Sequence, residues 1–130
     1  MHSIVLYCTA ALGALLFLLG LAVSILRFRT GIGHGGAPER NALLNRVIRA
    51  HANTAEFAPF LAVLFLYFGW KGPSPLDLAL VIAASVSRFL IVIGLVVWPS
   101  LSRPNPARFV GALGTYLSGA GLCLAMIAGF

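Results

Sequence analysis

Apolar residues dominate four long stretches of the chain, and polar residues gather in the short intervals between them. The stretches run from about residue 3 to 26, 42 to 70, 76 to 98 and 107 to 130. Each meets the roughly 20 residues that an α-helix needs to cross a bilayer. The pattern predicts an all-α integral membrane protein, a bundle of four transmembrane helices forming one domain over residues 1–130. The first stretch has no Lys or Arg before it, and its apolar run exceeds a typical signal-peptide core. It reads as a retained membrane helix.

The intervals carry helix punctuation. Ser74-Pro75-Leu76-Asp77 supplies a capping serine, a proline for the first helical position and a carboxylate for the first turn. Asn105-Pro106 repeats the device before the fourth stretch. Gly31-Ile32-Gly33-His34-Gly35-Gly36 predicts a flexible loop, with the second helix starting near Pro38-Glu39. A phosphate-binding glycine loop follows a strand, whereas this one follows a membrane helix. The fourth stretch places small residues at Gly111, Gly114, Thr115, Ser118, Gly119 and Gly121. Gly114 with Ser118 and Thr115 with Gly119 allow close helix approach, either within one bundle or between subunits.

Composition narrows the class. Hydrophobic residues make up 60% of the chain and charged ones 9%, against about 25% charged in soluble domains. A chain this short cannot hide so much apolar surface in a water-surrounded core. A soluble enzyme domain, a disordered tail and a secreted disulfide scaffold are excluded. Nine Lys and Arg against three Asp and Glu give a net charge of +6. The basic residues are scattered among apolar segments with no separate basic domain, so they mark membrane edges and not a nucleic-acid surface. Arg27, Arg29, Arg40, Arg46 and Arg49 flank the first connection, and Arg103 and Arg108 flank the third. The second has only Lys71. This asymmetry predicts cytoplasmic first and third connections, with both termini outside. Cys8 and Cys123 lie inside apolar runs and read as buried thiols. The three histidines and two cysteines show no metal-ligand spacing.

The informative chemistry lies in the second stretch. Arg46, Arg49, Asn53 and Glu56 are three, four and three residues apart. On a helical wheel they fall within an arc of about 80°, with His51 on the far side. Charges at membrane depth cost from about 2.5 kcal/mol upward on insertion scales, so they mark function by default. An interfacial helix end with snorkelling arginines accounts for Arg46 and Arg49 but not for Glu56. A structural ion-pair network and a packing role for His51 are the plain alternatives. Guanidiniums grip carboxylates or phosphates bidentately, and a carboxylate suits an ammonium. The face therefore fits an anionic, amino-acid-like ligand. Arg88 lies mid-way along the third stretch, about 15 Å from the end at Trp98. Glu56 lies at a similar depth in the antiparallel second helix. The depth match predicts an Arg88–Glu56 ion pair.

Arg49-Ala50-His51-Ala52-Asn53 followed by Glu56 and Pro59 resembles the signature of the MAPEG family, membrane-associated proteins of eicosanoid and glutathione metabolism. The Gly33-His34-Gly35-Gly36 loop is similar to that of small bacterial members, which implies a bacterial inner membrane. The resemblance implies a homotrimer that binds glutathione as co-substrate between protomers, near the cytoplasmic side. It assigns Arg49, Asn53 and Glu56 to glutathione from one protomer and His51 from its neighbour. Arg46 and Arg88 join this binding set. Arg27 or Arg29 matches a basic position at the end of the first helix. Arg108, or else Arg103, matches the arginine that stabilises the thiolate in catalytic members. The implied activity is glutathione transfer to apolar electrophiles, or reduction of lipid hydroperoxides, at a site in contact with membrane lipid. Catalytic members carry tyrosines where this chain has Phe57, Ile91 and Leu95. That departure favours a competing expectation, a non-catalytic lipid-binding or scaffold protein. A proton-coupled exporter built on Glu56 is a third, opposed by the neighbouring arginines.

Overall fold

A computed structural model describes residues 1–98 and 103–129. Four helices, α1 (Ser3–Thr30), α2 (Ala42–Lys71), α3 (Pro75–Val96) and α4 (Pro106–Ala128), account for most of it. All four are long and apolar enough to cross a membrane, and the described residues contain no strand. The protein is an all-helical, multi-pass membrane bundle.

The helix ends show where hydropathy and backbone geometry part company. α1 continues about one turn beyond its apolar run, through Arg27 and Arg29, and stops at Gly31 with φ 68°. Apolarity ends where the helix leaves lipid, but the hydrogen-bond ladder ends only where a residue accepts the left-handed conformation. The second helix does not start at Pro38. Pro38–Arg40 forms a separate 3-10 turn, and Asn41 opens α2 by accepting from the Leu44 amide at 2.9 Å. Asparagine caps a helix well, whereas Ala37 before the proline offers no side-chain acceptor. Ser74 and Asp77 form a reciprocal capping box on α3, each accepting from the other's backbone amide. Asn105 accepts from the Ala107 and Arg108 amides at the start of α4. The sequence pattern extends the fourth helix to Phe130, which lies outside the described residues; the described helix ends at Ala128.

The closest helix pairs are α3 with α4 and α1 with α2, and α2 against α3 joins the two hairpins. Toward the chain termini, Val5, Leu12, Phe65, Val81 and Leu122 are fully or almost fully enclosed. Toward the first and third connections, Leu19, Val47, Ala50, Ile91 and Leu95 form a second apolar cluster. In lipid, such packing is held by dispersion contacts and not by exclusion of water. Many large apolar side chains, including Phe17, Leu18, Phe60, Val63 and Leu124, point outward. In water they would be a liability, and in a bilayer they meet their own kind.

The small residues of α4 are used within the bundle. A Cβ on Gly111 would lie 2.7 Å from Ile91 Cγ1 and 2.8 Å from the Ser87 carbonyl. One on Gly94 would lie 2.8 Å from Arg108 Cγ and 3.0 Å from the Arg108 nitrogen. Asn105 reinforces this contact by donating from Nδ2 to the Gly94 carbonyl at 2.9 Å. Thr115 and Ser118 turn their hydroxyls onto the carbonyls of Gly111 and Gly114 in their own helix.

Gly111→Leu should therefore lower stability by about 1–3 kcal/mol through overpacking of α3 against α4. Gly13→Ala, where an added methyl meets nothing within 4 Å, should be neutral or stabilising by up to about 1 kcal/mol. Thermal unfolding in detergent compares the two. Equal losses would remove the close-contact account.

Candidate functional site: a guanidinium-lined groove between α2, α3 and α4

Along α2, the buried residues Leu44, Val47, Ala50, Thr54, Ala58 and Leu61 recur at spacings of three and four and face the bundle. The polar stripe lies to one side of this buried face and His51 lies to the other. Two separate grooves result.

The first is an open groove of about 1030 Å³ lined by Asn45, Arg49, Asn53, Glu56 and Phe57 of α2, by Arg88, Ile91 and Leu95 of α3, and by Arg108, Phe109, Ala112 and Tyr116 of α4. Arg103, Pro104 and Asn105 complete the rim. Four guanidiniums thus surround one carboxylate. Arg49 and Glu56 are exposed on the groove wall, and Asn53 is half-buried. Arg88 is 0% exposed.

The Arg88 guanidinium does not pair with Glu56, as the depth argument expects. Its Nη2 donates to the Asn53 carbonyl at 2.9 Å and to Asn53 Oδ1 at 2.8 Å. Its plane stands 5.1 Å from the centroid of the Phe57 ring, within cation–π range. Glu56 is not among these contacts of Arg88. Asn53 lies about one turn nearer the start of α2 and presents two oxygens toward α3, while Glu56 stays at the open wall. Arg88 Nε and Nη1 are buried and have no hydrogen-bond partner among the described residues. A fully enclosed guanidinium with unused donors at a groove wall has capacity for a further acceptor.

The second groove, about 720 Å³, lies between α1 and α2 and holds His51, Arg27, His34 and Ser24 among apolar residues of α1. His51 packs on Gly20, where an added Cβ would meet Nε2 at 3.2 Å. The sequence reading thus separates the two faces of α2 correctly. Two members of its residue set fall in neither groove. Arg46 donates from Nη1 to the Trp98 carbonyl at 2.8 Å, closing the end of α3. Arg29 is exposed, whereas Arg27 donates to the carbonyls of Ile32 and Gly33 and braces the glycine loop.

A family model for MAPEG matches residues 5–128, almost the whole chain. The chain belongs to the MAPEG family. It is therefore a membrane protein of the glutathione- and eicosanoid-related class. No match is found among curated proteins. Within this MAPEG bundle, Phe57, Ile91 and Leu95 all face the first groove, so the departures noted in the sequence cluster at one place. A third, apolar groove of about 420 Å³ runs from there between α2 and α4, along Phe60, Leu61, Leu64, Gly119, Ala120 and Cys123. It shares Glu56, Phe57 and Tyr116 with the first. The sequence pattern does not single out Tyr116, Asn45 or His34 as site residues. Only the relative rotation of the helices brings these residues to the grooves.

Asn53→Leu should destabilise the protein by about 1.5–3 kcal/mol, the range for a hydrogen bond to a charged group. Arg88→Leu should also be costly, yet the double variant should lose less than the sum of the two. Glu56→Gln should alter the Arg88→Leu loss far less than Asn53→Leu does. Additivity for Arg88 with Asn53, or coupling of Arg88 to Glu56 instead, would contradict the arrangement.

Proposed function

We propose that this protein binds glutathione in the first groove and directs its thiolate against apolar electrophiles or lipid hydroperoxides. The carrying observation is the polar lining: four arginines, one carboxylate and three asparagines around a single groove, with two buried Arg88 donors unused. Glutathione carries two carboxylates, one ammonium and a thiol. Arg49 suits a carboxylate, with the inner Arg88 donors open to a second acceptor, and Glu56 suits the ammonium. Asn53, whose Oδ1 holds Arg88, keeps its amide nitrogen for the peptide portion. A thiol of pKa about 8.5 is only a few per cent ionised at neutral pH. A guanidinium from Arg108, or from Arg103 at the rim, would stabilise the thiolate and raise that fraction.

The groove is open on the side away from the bundle, and the second groove presents Arg27 and His51 on the opposite flank of α2. We propose that protomers meet as a homotrimer, so that His51 and Arg27 of one reach the ligand held by the next. The arginines cluster at the end of the bundle bearing the first and third connections. We place that end in the cytoplasm of a bacterial inner membrane, where glutathione would enter from water and apolar co-substrates from lipid. A non-catalytic lipid-binding or scaffold role is the second reading. It is favoured by the apolar side chains of Phe57, Ile91 and Leu95 inside the groove. Export of a cationic cargo through Glu56 is opposed by the four guanidiniums around it.

Isothermal titration of glutathione into the detergent-purified protein should give saturable binding. Arg49→Ala should weaken it by about tenfold or more, and Arg49→Lys should recover little, because an ammonium cannot reproduce a bidentate fork. Unchanged affinity in Arg49→Ala would refute the assignment. In a background lacking Cys8 and Cys123, a cysteine at Gly35 should label from the cytoplasmic side and one at Ser74 from the opposite side. The reverse pattern would invert the topology.

A further inference from the structure

Tyr116 occupies a position that neither packing nor membrane anchoring explains. It lies ten residues after Pro106, roughly 15 Å along α4. Tyrosines that anchor membrane helices sit near the ends, where the hydroxyl reaches headgroups and water. A phenol at mid-span lies too deep for the headgroups, and its polar tip is left to the groove it lines. Among the described residues its hydroxyl makes no hydrogen bond, and the side chain is more than half exposed. The side chain lines both the guanidinium-rich groove and the apolar groove. Its ring faces the Phe57 ring at 5.8 Å between centroids, tilted by 47°. Phe57 in turn lies against the Arg88 guanidinium. A stack of Arg88, Phe57 and Tyr116 thus stands where the two grooves join. Of the side chains lining the polar groove, Tyr116 brings the single phenol, from α4, while Phe57, Ile91 and Leu95 bring none.

We infer that Tyr116 is the proton donor for hydroperoxide reduction, its hydroxyl meeting the peroxide oxygen of an amphiphile whose chain lies in the α2–α4 groove. This rests on the glutathione reading above. The thiolate sulfur attacks the terminal peroxide oxygen, the S–O bond forms and the O–O bond breaks. The departing alkoxide takes the Tyr116 proton and leaves as an alcohol. A second glutathione returns a proton to the phenolate, and its thiolate displaces hydroxide from the glutathione sulfenic acid, giving the disulfide. Two glutathiones and one hydroperoxide become one disulfide, one alcohol and one water. Conjugation to a chloroarene differs, because chloride leaves without a proton.

The full-length protein in detergent, wild type and Tyr116→Phe, is titrated with glutathione and assayed with two co-substrates, linoleic acid hydroperoxide and chlorodinitrobenzene. The ring is retained in the variant, so the fold and the Phe57 contact persist. Glutathione affinity should be unchanged. The ratio of hydroperoxide reduction to conjugation should fall by about a hundredfold or more, mainly in kcat, as for loss of a general acid. An unchanged ratio, whether both rates hold or both fall together, overturns the role of Tyr116 and leaves the glutathione reading standing. A weakened glutathione affinity in Tyr116→Phe overturns it too, by moving the hydroxyl into the glutathione site. Wild-type protein that binds glutathione but reduces no hydroperoxide also overturns it. Failure of the wild type to bind glutathione refutes the broader reading as well.

Discussion

A guanidinium sealed inside a membrane bundle sets the terms for everything around it. Arg88 is fully enclosed, and its anchor is one asparagine that offers a backbone and a side-chain oxygen together. Because a charge at this depth is tolerated only in a fixed polar setting, α2 and α3 cannot rotate against one another without leaving it bare. The apolar clusters on either side pack around that setting. Fixing this rotation directs Arg49 and Glu56 toward the groove and lays Phe57 against the arginine. The site is thus a by-product of how one buried cation is held.

The opposite wall depends on closeness and not on charge. Gly94 and Gly111 let α3 and α4 approach until a methyl group would not fit. Asn105 adds a polar clasp at the end of the seam. The two devices bring Arg108 alongside α3, into the same groove as Arg88. One hairpin contributes three guanidinium-bearing positions and the other contributes the stripe. The groove forms where they meet.

Much of this architecture is legible in the order of residues. Four apolar runs, the Ser74 and Asn105 caps and the division of α2 into a stripe and a His51 face all follow from periodicity and capping chemistry. Depth along a helix is legible too, since rise per residue is constant. Rotation is not. Glu56 and Asn53 differ in depth by only about one turn, and the choice between them depends on which oxygens face α3. The same limit hides Tyr116, whose position follows from glycine contacts made one and two turns earlier in α4. Arg46 shares the stripe by angle, yet it sits where α3 ends, and an unpaired terminal carbonyl claims it. The extra turn of α1 escapes a reading by hydropathy because the ladder outlasts the lipid.

The polar stripe also bears on how the chain enters the bilayer during synthesis. α2 is the least apolar of the four spans, and α1, which is made before it, packs against its other flank. As α2 emerges, Arg49, Asn53 and Glu56 have no companion in lipid. Asn53 gains one only when α3 delivers Arg88, thirty-five residues later. The second span therefore has reason to wait at the water boundary, or beside the insertion machinery, and to cross together with the third. In this small bundle α2 and α3 would then enter together, and the guanidinium-lined groove would close once α4 arrives.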